Sequence, residues 1–172
     1  KALPFELKST DNKIISLDNI KGENGTLIMF ICNHCPYVKA VTKEIVEDCS
    51  ELKKIGINSV AICSNDAVNY PDDSFDNMIK FSNDNQFNFP YLQDENQEIA
   101  KAYDAVCTPD FFGYNKDLGL QYRGRLRELK NFVPVKDGES DLLKAMKQIA
   151  NTGKGPQNQI PSAGCGIKWK YD

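Results

Sequence analysis

Three residues with reactive side chains, Cys32, His34 and Cys35, lie together in the segment F-I-C-N-H-C-P-Y, residues 30–37. The thiolate is the reactive form of cysteine, and a helix N-terminus stabilises it with unpaired N–H groups and partial positive charge. An apolar run over residues 27–31 comes directly before Cys32, and an amphipathic pattern follows Cys35. A strand that delivers a C-x-x-C pair to the start of a helix predicts a dithiol redox site.

Each residue of this segment has an expected role. Cys32 is predicted to be the attacking thiol, because it lies at an exposed junction between loop and helix. Cys35, half-buried in the first helical turn, would then resolve the mixed disulfide by attacking Cys32. His34 can carry a positive charge or donate to the thiolate, which would lower the thiol pKa and raise the reduction potential of the pair. The alternative for His34 is a solvated residue without a tuning role.

Zinc sites use the same C-x-x-C spacing as redox sites. A structural zinc site needs a second close pair of Cys or His ligands, whereas this chain has one histidine, beside the first pair. A redox pair is therefore favoured, and no cofactor is expected beyond the two cysteines. A non-enzymatic metal-binding module that uses Cys32, His34 and Cys35 as ligands remains an alternative.

The elements that must position the pair can be read from hydrophobic periodicity. Strands are predicted over residues 26–31 and 57–63, with an amphipathic helix over 37–55 between them. This order predicts a right-handed βαβ unit with the cysteines at the carboxyl edge of the sheet. Further predictions are a hairpin over 4–17, helices over 74–85, 95–103 and 140–150, and strands over 89–92, 106–114 and 118–124.

The remaining cysteines of the six in the chain are too sparse for a disulfide scaffold, so most are expected to be reduced. Cys49 and Cys63 lie on apolar patterns and are predicted to be core residues. Cys107 is interpreted as a core residue as well, because strand alternation would turn it away from the site. Cys165 lies between two glycines in a tail expected to be mobile, and is a candidate additional resolving thiol or a structural cysteine.

Composition limits the classes of partner. A net charge of −3 gives no reason to expect nucleic acid or an anionic membrane as a partner. No run approaches the roughly 18 apolar residues that a membrane span needs. We expect a cytoplasmic protein, or a periplasmic one if an upstream signal has been removed. One domain is predicted over residues 1–153, with an irregular, Gly- and Pro-containing tail over 154–172 packed on it. The sequence favours no oligomeric state.

The C-N-H-C segment and the later C-T-P-D-F-F, residues 107–112, together resemble the thioredoxin-fold superfamily. Within it they resemble the peroxiredoxin-like branch, also called AhpC/TSA or redoxin. The hairpin, S-N-D-A-V-N-Y-P at 64–71, Y-R-G-R at 122–125 and G-C-G-I-K-W-K at 164–170 are similar to its thiol-disulfide oxidoreductase/isomerase-like subgroup. The resemblance implies an α/β fold of three layers, with a central mixed sheet flanked by helices.

The resemblance also implies a function and a groove. It implies a thiol-disulfide oxidoreductase that exchanges disulfides with a protein or small-molecule disulfide, supported by a thiol reductant. The loop Thr108-Pro109 is implied to face the cysteines, with Pro109 after a cis peptide bond. Because the backbone beside this proline pairs with a substrate peptide in that fold, Thr108 and Pro109 are implied to be substrate-groove residues.

A thiol peroxidase is the main rival function. Peroxiredoxins use one cysteine, often followed by proline as in Cys35-Pro36, with Thr or Ser three residues earlier and a distant arginine. Here Cys32 takes the place of the hydroxyl residue, which disfavours efficient peroxidase chemistry. Arg123 and Arg125 are predicted to share a strand face, where they could supply the distant arginine. The favoured interpretation is that they are solvated charges on an edge strand.

Overall fold

The computed structural model describes residues 1–170 of the protein. Strands and helices alternate along most of these residues, with a 3-10 turn over Pro71–Asp73. In chain order the elements are β1 (Glu6–Ser9), β2 (Ile14–Ser16), α1 (Leu17–Ile20), β3 (Gly25–Phe30), α2 (Pro36–Lys54), β4 (Ile57–Cys63), α3 (Phe75–Asp84), β5 (Tyr91–Gln93), α4 (Glu98–Ala102), β6 (Cys107–Thr108), β7 (Asp110–Asn115), β8 (Leu120–Gly124), β9 (Leu129–Lys130), β10 (Val133–Pro134), α5 (Asp141–Thr152) and β11 (Cys165–Gly166).

A mixed sheet forms the centre of the molecule. Within residues 1–170 it has seven strands in the order β2, β1, β5, β4, β3, β7, β8. Strand β3 lies between β4, which is parallel to it, and β7, which is antiparallel. Because α2 connects β3 to β4, the predicted βαβ unit is present. The predicted fold class, a three-layer thioredoxin-like fold with an N-terminal hairpin, is confirmed.

The two faces of the sheet carry separate apolar cores. Alternate residues of β3 point to opposite faces, so Leu27 and Met29 belong to one core and Ile28 and Phe30 to the other. Helices α2, α3 and α5 cover the first face, and α1 and α4 cover the second. Burial on both faces explains why the sequence of β3 is a nearly continuous apolar run.

Helix α2 begins immediately after the cysteine pair. Val38, Val41 and Ile45 recur at helical spacing, and all three are buried against the sheet. Pro36 occupies the first helical position, where its missing N–H leaves no hydrogen bond unmade. The helix therefore starts at a defined residue, and Cys35 becomes its N-cap.

The strand predicted over residues 106–114 is divided in two. Strand β7 begins only at Asp110, and the two residues of β6 pair with a different strand, β11. Pro109 separates the two strands and has no N–H to contribute to a ladder, which accounts for the break. The Thr108-Pro109 peptide bond is cis.

The tail is less irregular than predicted for residues 154–172. Residues 165 and 166 form β11, which is antiparallel to β6, and the rest of residues 154–170 is irregular. Tyr171 and Asp172, which the predicted tail includes, lie outside the described residues. Among residues 1–170 no helix is both long enough and apolar enough to cross a membrane.

Candidate active site

The cysteine pair lies between the end of β3 and the start of α2. Both sulfur-bearing residues are buried, each with a relative exposure of 1%. The expectation that Cys32 is exposed and Cys35 half-buried is therefore wrong for both residues. The physical reason is that Thr108 from the β6 segment lies over the pair, at distances that exclude water.

Thr108 contacts both thiols. Its hydroxyl oxygen is 3.4 Å from the Cys32 sulfur, and its carbonyl oxygen accepts from the Cys35 thiol at 3.3 Å. Of the two groove residues implied by the resemblance, Thr108 thus lies directly against the cysteines, and Pro109 follows it. The structure brings together four of the residues singled out from the sequence: Cys32, Cys35, Thr108 and Pro109.

Cys165 completes a cluster of three sulfurs. Its Sγ lies 2.8 Å from the Cys35 Sγ. The expected mobile tail is not observed, because the residues beyond Cys165 are bound to the body of the protein. Gln97 donates to the Lys168 carbonyl at 2.9 Å and accepts from the Lys170 N–H at 2.9 Å, and Asn65 accepts from the Lys168 N–H at 3.0 Å.

The cluster favours a thiolate on Cys35. The hydrogen bond from the Cys32 thiol lowers the pKa of Cys35, against the opposing effect of burial, and the Cys165 thiol and the Val38 N–H lower it further. The Thr108 carbonyl can only accept a hydrogen bond, so it favours the protonated form of Cys35. The hydrogen-bond donors to Cys35 outnumber this one acceptor. The Cys35 sulfur also has the N-terminus of α2 behind it.

The surroundings of Cys32 disfavour a thiolate on that residue. Its hydrogen bond to Cys35 and its burial raise the pKa of Cys32, and the nearby Asp73 carboxylate raises it further. Only one negative charge can be accommodated easily in so compact a cluster, and these contacts place it on Cys35. The sequence prediction that Cys32 carries the attacking thiolate therefore disagrees with the electrostatics of the site.

Asp73 lies in the candidate site, although no sequence motif points to it. Its buried carboxylate accepts from the Asn33 N–H at 2.8 Å and from the Asn65 amide at 2.8 Å. The Tyr91 hydroxyl in turn donates to the Asn33 side chain at 2.7 Å. In the sequence, Pro71-Asp72-Asp73 directly precedes the helix predicted over residues 74–85 and is typical of a helix start. The available signal was the lone histidine, since a histidine in an active site usually has a carboxylate partner.

His34 is turned toward Asp73 rather than toward a thiolate. Its Nδ1 lies 2.8 Å from an Asp73 oxygen, at ion-pair distance but without the alignment of a hydrogen bond. The imidazole is stacked parallel to the Tyr70 ring, with the centroids 6.5 Å apart. Direct donation from His34 to a thiolate of the pair, one of the two predicted roles, is thus not the contact that His34 forms.

A metal-binding module would use a different set of donors from the predicted one. Ligand atoms of Cys32, His34 and Asp73 lie within 4.8 Å of one another, so Asp73 replaces Cys35 in the set. The carboxylate already accepts from Asn33 and Asn65, and the charged form of Cys32 is the disfavoured one. The site is therefore less suited to binding a metal ion than to redox chemistry of the cysteine pair.

Arg123 and Arg125 are held in ion pairs, which corrects their interpretation as solvated edge charges. Arg123 donates to Asp110 at 2.9 Å, with its guanidinium 4.6 Å above the ring of Phe112. Arg125 donates to Asp141 of α5 at 2.7 Å. The two side chains also do not share a strand face, because β8 ends at Gly124 and the alternation does not continue to Arg125.

The other cysteines divide into core and partly buried residues. Cys49 and Cys63 are buried, and burial raises the pKa of each to about 12. Cys107, predicted to be a core residue, is only partly buried. Its sulfur lies 3.9 Å from the Ser162 carbonyl of the tail, because β6 pairs with the tail instead of continuing the central sheet.

A cavity of about 530 Å³ adjoins the site at Pro109. Aromatic side chains of Tyr37, Phe111 and Phe132 form part of its wall, and Arg125 contributes a polar group. The cavity offers space next to Pro109 for part of a small molecule, while the cysteines do not line it and their sulfur atoms are covered.

Comparison with known proteins identifies the family. The sequence model described as the AhpC/TSA family matches residues 1–128. The chain belongs to the AhpC/TSA family. The resemblance inferred from the cysteine and Thr-Pro motifs is thereby confirmed. No curated protein matches the sequence of this AhpC/TSA-family chain.

Solved structures similar to this AhpC/TSA-family protein fall into two groups. An uncharacterized conserved protein from Geobacillus kaustophilus is 44% identical, with a TM-score of 0.93 over 100% of this chain and 92% of that one. A hypothetical protein from Sinorhizobium meliloti is 31% identical, with a TM-score of 0.92 over 100% and 94%. The thioredoxin domain of a thiol-disulfide oxidoreductase from Bacteroides vulgatus is 13% identical, with a TM-score of 0.60 over 76% and 86%, and shows the shared fold.

If the Cys35 thiolate is stabilised by the Cys32 thiol, the pKa of Cys35 should depend on the residue at position 32. In the reduced AhpC/TSA-family protein, ultraviolet thiolate absorbance should show a transition below the ordinary cysteine pKa of about 8.5. Cys35→Ser should abolish this transition. Cys32→Ala should move it upward toward about 8.5, because a donor to Cys35 is lost, whereas the hydroxyl of Cys32→Ser still donates and should preserve most of the shift. A low-pH transition that survives in Cys35→Ser would contradict the assignment.

Proposed function

We propose that this protein is a thiol-disulfide oxidoreductase in which Cys35 attacks and Cys32 resolves. The observation that carries the proposal is the Cys35 sulfur, which has the N-terminus of α2 behind it and thiol donors on Cys32 and Cys165. A thiolate stabilised in this way is both a nucleophile and a good leaving group. The family and the fold support redox chemistry at this position.

The exchange proceeds in two displacements. The Cys35 thiolate attacks one sulfur of a disulfide, forming a mixed disulfide and releasing the other half as a thiolate. Cys32 then gives up its proton to the released thiolate and attacks the Cys35 sulfur. The second half of the substrate leaves as a thiolate and takes up a proton from water, and a Cys32–Cys35 disulfide remains, so that the protein has lost two electrons and the Cys32 proton to the substrate. A thiol reductant reverses these steps.

His34 is proposed to tune the pair through Asp73. An imidazolium at this position, 2.8 Å from an Asp73 oxygen, would offset the negative charge of Asp73, which otherwise disfavours a negative charge in the cysteine pair. Stabilising the reduced, ionised form makes the disulfide more oxidising. His34 would thus raise the reduction potential without contacting either sulfur, which makes it a positioning residue and not a catalytic one.

A thiol peroxidase is the second candidate, and one observation favours it. The sequence has no hydroxyl residue three positions before Cys35, but the Thr108 hydroxyl lies within the cysteine pair, 3.4 Å from the Cys32 sulfur. In that reaction the Cys35 thiolate attacks a peroxide, giving a sulfenic acid and an alcohol or water, and a second thiol then displaces water. Hydrogen peroxide should oxidise Cys35 far faster than free cysteine if this candidate is correct, and at a similar rate if it is not.

Equilibration with glutathione tests the proposed exchange. The wild-type dithiol should convert to a Cys32–Cys35 disulfide within the range of glutathione buffers, at roughly −180 to −270 mV. Cys35→Ser should slow the reaction with glutathione disulfide by about tenfold or more, since the activated thiolate is lost. Cys107→Ser, at a partly buried cysteine outside the pair, is the matched control and should react normally. A wild-type protein that forms no disulfide in these buffers would overturn the proposal.

The role of His34 predicts a change of potential. His34→Ala should shift the reduction potential of the pair by roughly 10–30 mV toward more negative values, because Asp73 is left uncompensated. Tyr70→Phe keeps the aromatic ring that stacks on His34 and is the control, with no shift expected. A positive shift, or an equal potential for His34→Ala and wild type in glutathione buffers, would rule out this role.

A further inference from the structure

The tail strand occupies the edge of β6 that faces the cysteines. Cys165 is paired with Thr108 and Gly166 with Cys107, in antiparallel register. Thr108 is also the residue whose carbonyl oxygen lies 3.3 Å from the Cys35 sulfur. A peptide that brings a sulfur atom to Cys35 along the Thr108 backbone needs this edge, and β11 already fills it.

The side chain of Cys165 lies where the sulfur atom of a bound peptide substrate would lie. Its Sγ lies 2.8 Å from the Cys35 Sγ, nearer than an unbonded pair of sulfurs in van der Waals contact. The sulfur is thus in position to exchange with Cys35 without a rearrangement of the backbone.

We propose that residues 164–166 are an intramolecular substrate of the active site, and that a Cys35–Cys165 disulfide fastens β11 over it. The inference rests on the proposed function, because Cys35 must first form a mixed disulfide. While β11 is paired with β6 in the reduced protein, that edge is unavailable to a protein strand, so a small disulfide is the substrate that can start the reaction. Cys32 can later displace Cys165 and release the strand.

The step balances with glutathione disulfide as the oxidant. The Cys35 thiolate breaks the glutathione disulfide, which forms a Cys35–glutathione bond and releases a glutathione thiolate. Cys165 gives its proton to that thiolate and attacks the Cys35 sulfur. The second glutathione leaves as a thiolate and takes up a proton from water. Two cysteine thiols are oxidised to one disulfide, and one glutathione disulfide is reduced to two thiols.

Contacts on both sides hold β11 in this register. On the C-terminal side, Asn65 and Gln97 bind the backbone of Lys168. On the N-terminal side, Gly164 lies so close to β6 that a Cβ atom there would be 2.3 Å from the Thr108 carbonyl oxygen. At Gly166, by contrast, a Cβ would meet nothing within 4 Å. The absence of a side chain at residue 164 is therefore needed for the approach of Cys165.

Disulfide mapping in Cys32→Ser tests the proposal. The variant is mixed with one equivalent of glutathione disulfide, free thiols are alkylated, and peptides are mapped by mass spectrometry. We expect a Cys35–Cys165 disulfide with both glutathione halves released. The double variant Cys32→Ser/Cys165→Ser should stop at the Cys35–glutathione adduct. If Cys32→Ser also stops at that adduct with Cys165 alkylated, the proposal is overturned and the proposed function stands. If Cys35 forms no adduct in wild type or variants, both are overturned.

Two alanine variants in the Cys32→Ser background provide a second measurement. Gly164→Ala should slow formation of the Cys35–Cys165 disulfide by about tenfold, because its Cβ displaces the strand from Thr108. Gly166→Ala is matched in size and position and should leave the rate unchanged. Equal rates for the two variants would show that the register of β11 does not bring Cys165 to Cys35, and would overturn the proposal.

Discussion

The site depends on one interaction, the stabilisation of a negative charge on the Cys35 sulfur at the N-terminus of α2. The burial of Cys35 opposes that charge, and the hydrogen bonds from the surrounding thiols and N–H groups outweigh it. Pro36 matters because it begins the helix directly after Cys35, so that the sulfur lies at the terminus and not within a turn. The other features of the site either supply donors to this sulfur or control what reaches it.

Two segments far apart in the sequence converge on the cysteine pair. The β6 segment contributes Thr108, which contacts both cysteines of the pair. The 3-10 turn contributes Asp73, which holds the loop between the cysteines through the Asn33 N–H and carries the charge that disfavours a thiolate on Cys32. The surroundings lower the pKa of Cys35 and raise the pKa of Cys32. The two thiols can therefore have different roles although they are equally buried.

The fold and the reactive pair were predictable because both leave periodic or local signals. Strand β3, helix α2 and strand β4 have continuous or helical apolar patterns, and the C-x-x-C motif is contiguous. Asp73 left no comparable signal, since Pro-Asp-Asp is also a typical helix start and its inward orientation depends on tertiary packing. The burial of Cys32 and the anchoring of Cys165 depend on backbone contacts with Thr108, Asn65 and Gln97, which have no sequence period.

The most direct test of this account is to locate the first covalent bond that the wild-type protein forms. Reduced protein is mixed with glutathione disulfide, quenched with acid at successive short times, and the earliest mixed disulfide is mapped by mass spectrometry. The account predicts that glutathione appears first on Cys35, because that sulfur carries the charge. Glutathione appearing first on Cys32 would contradict it.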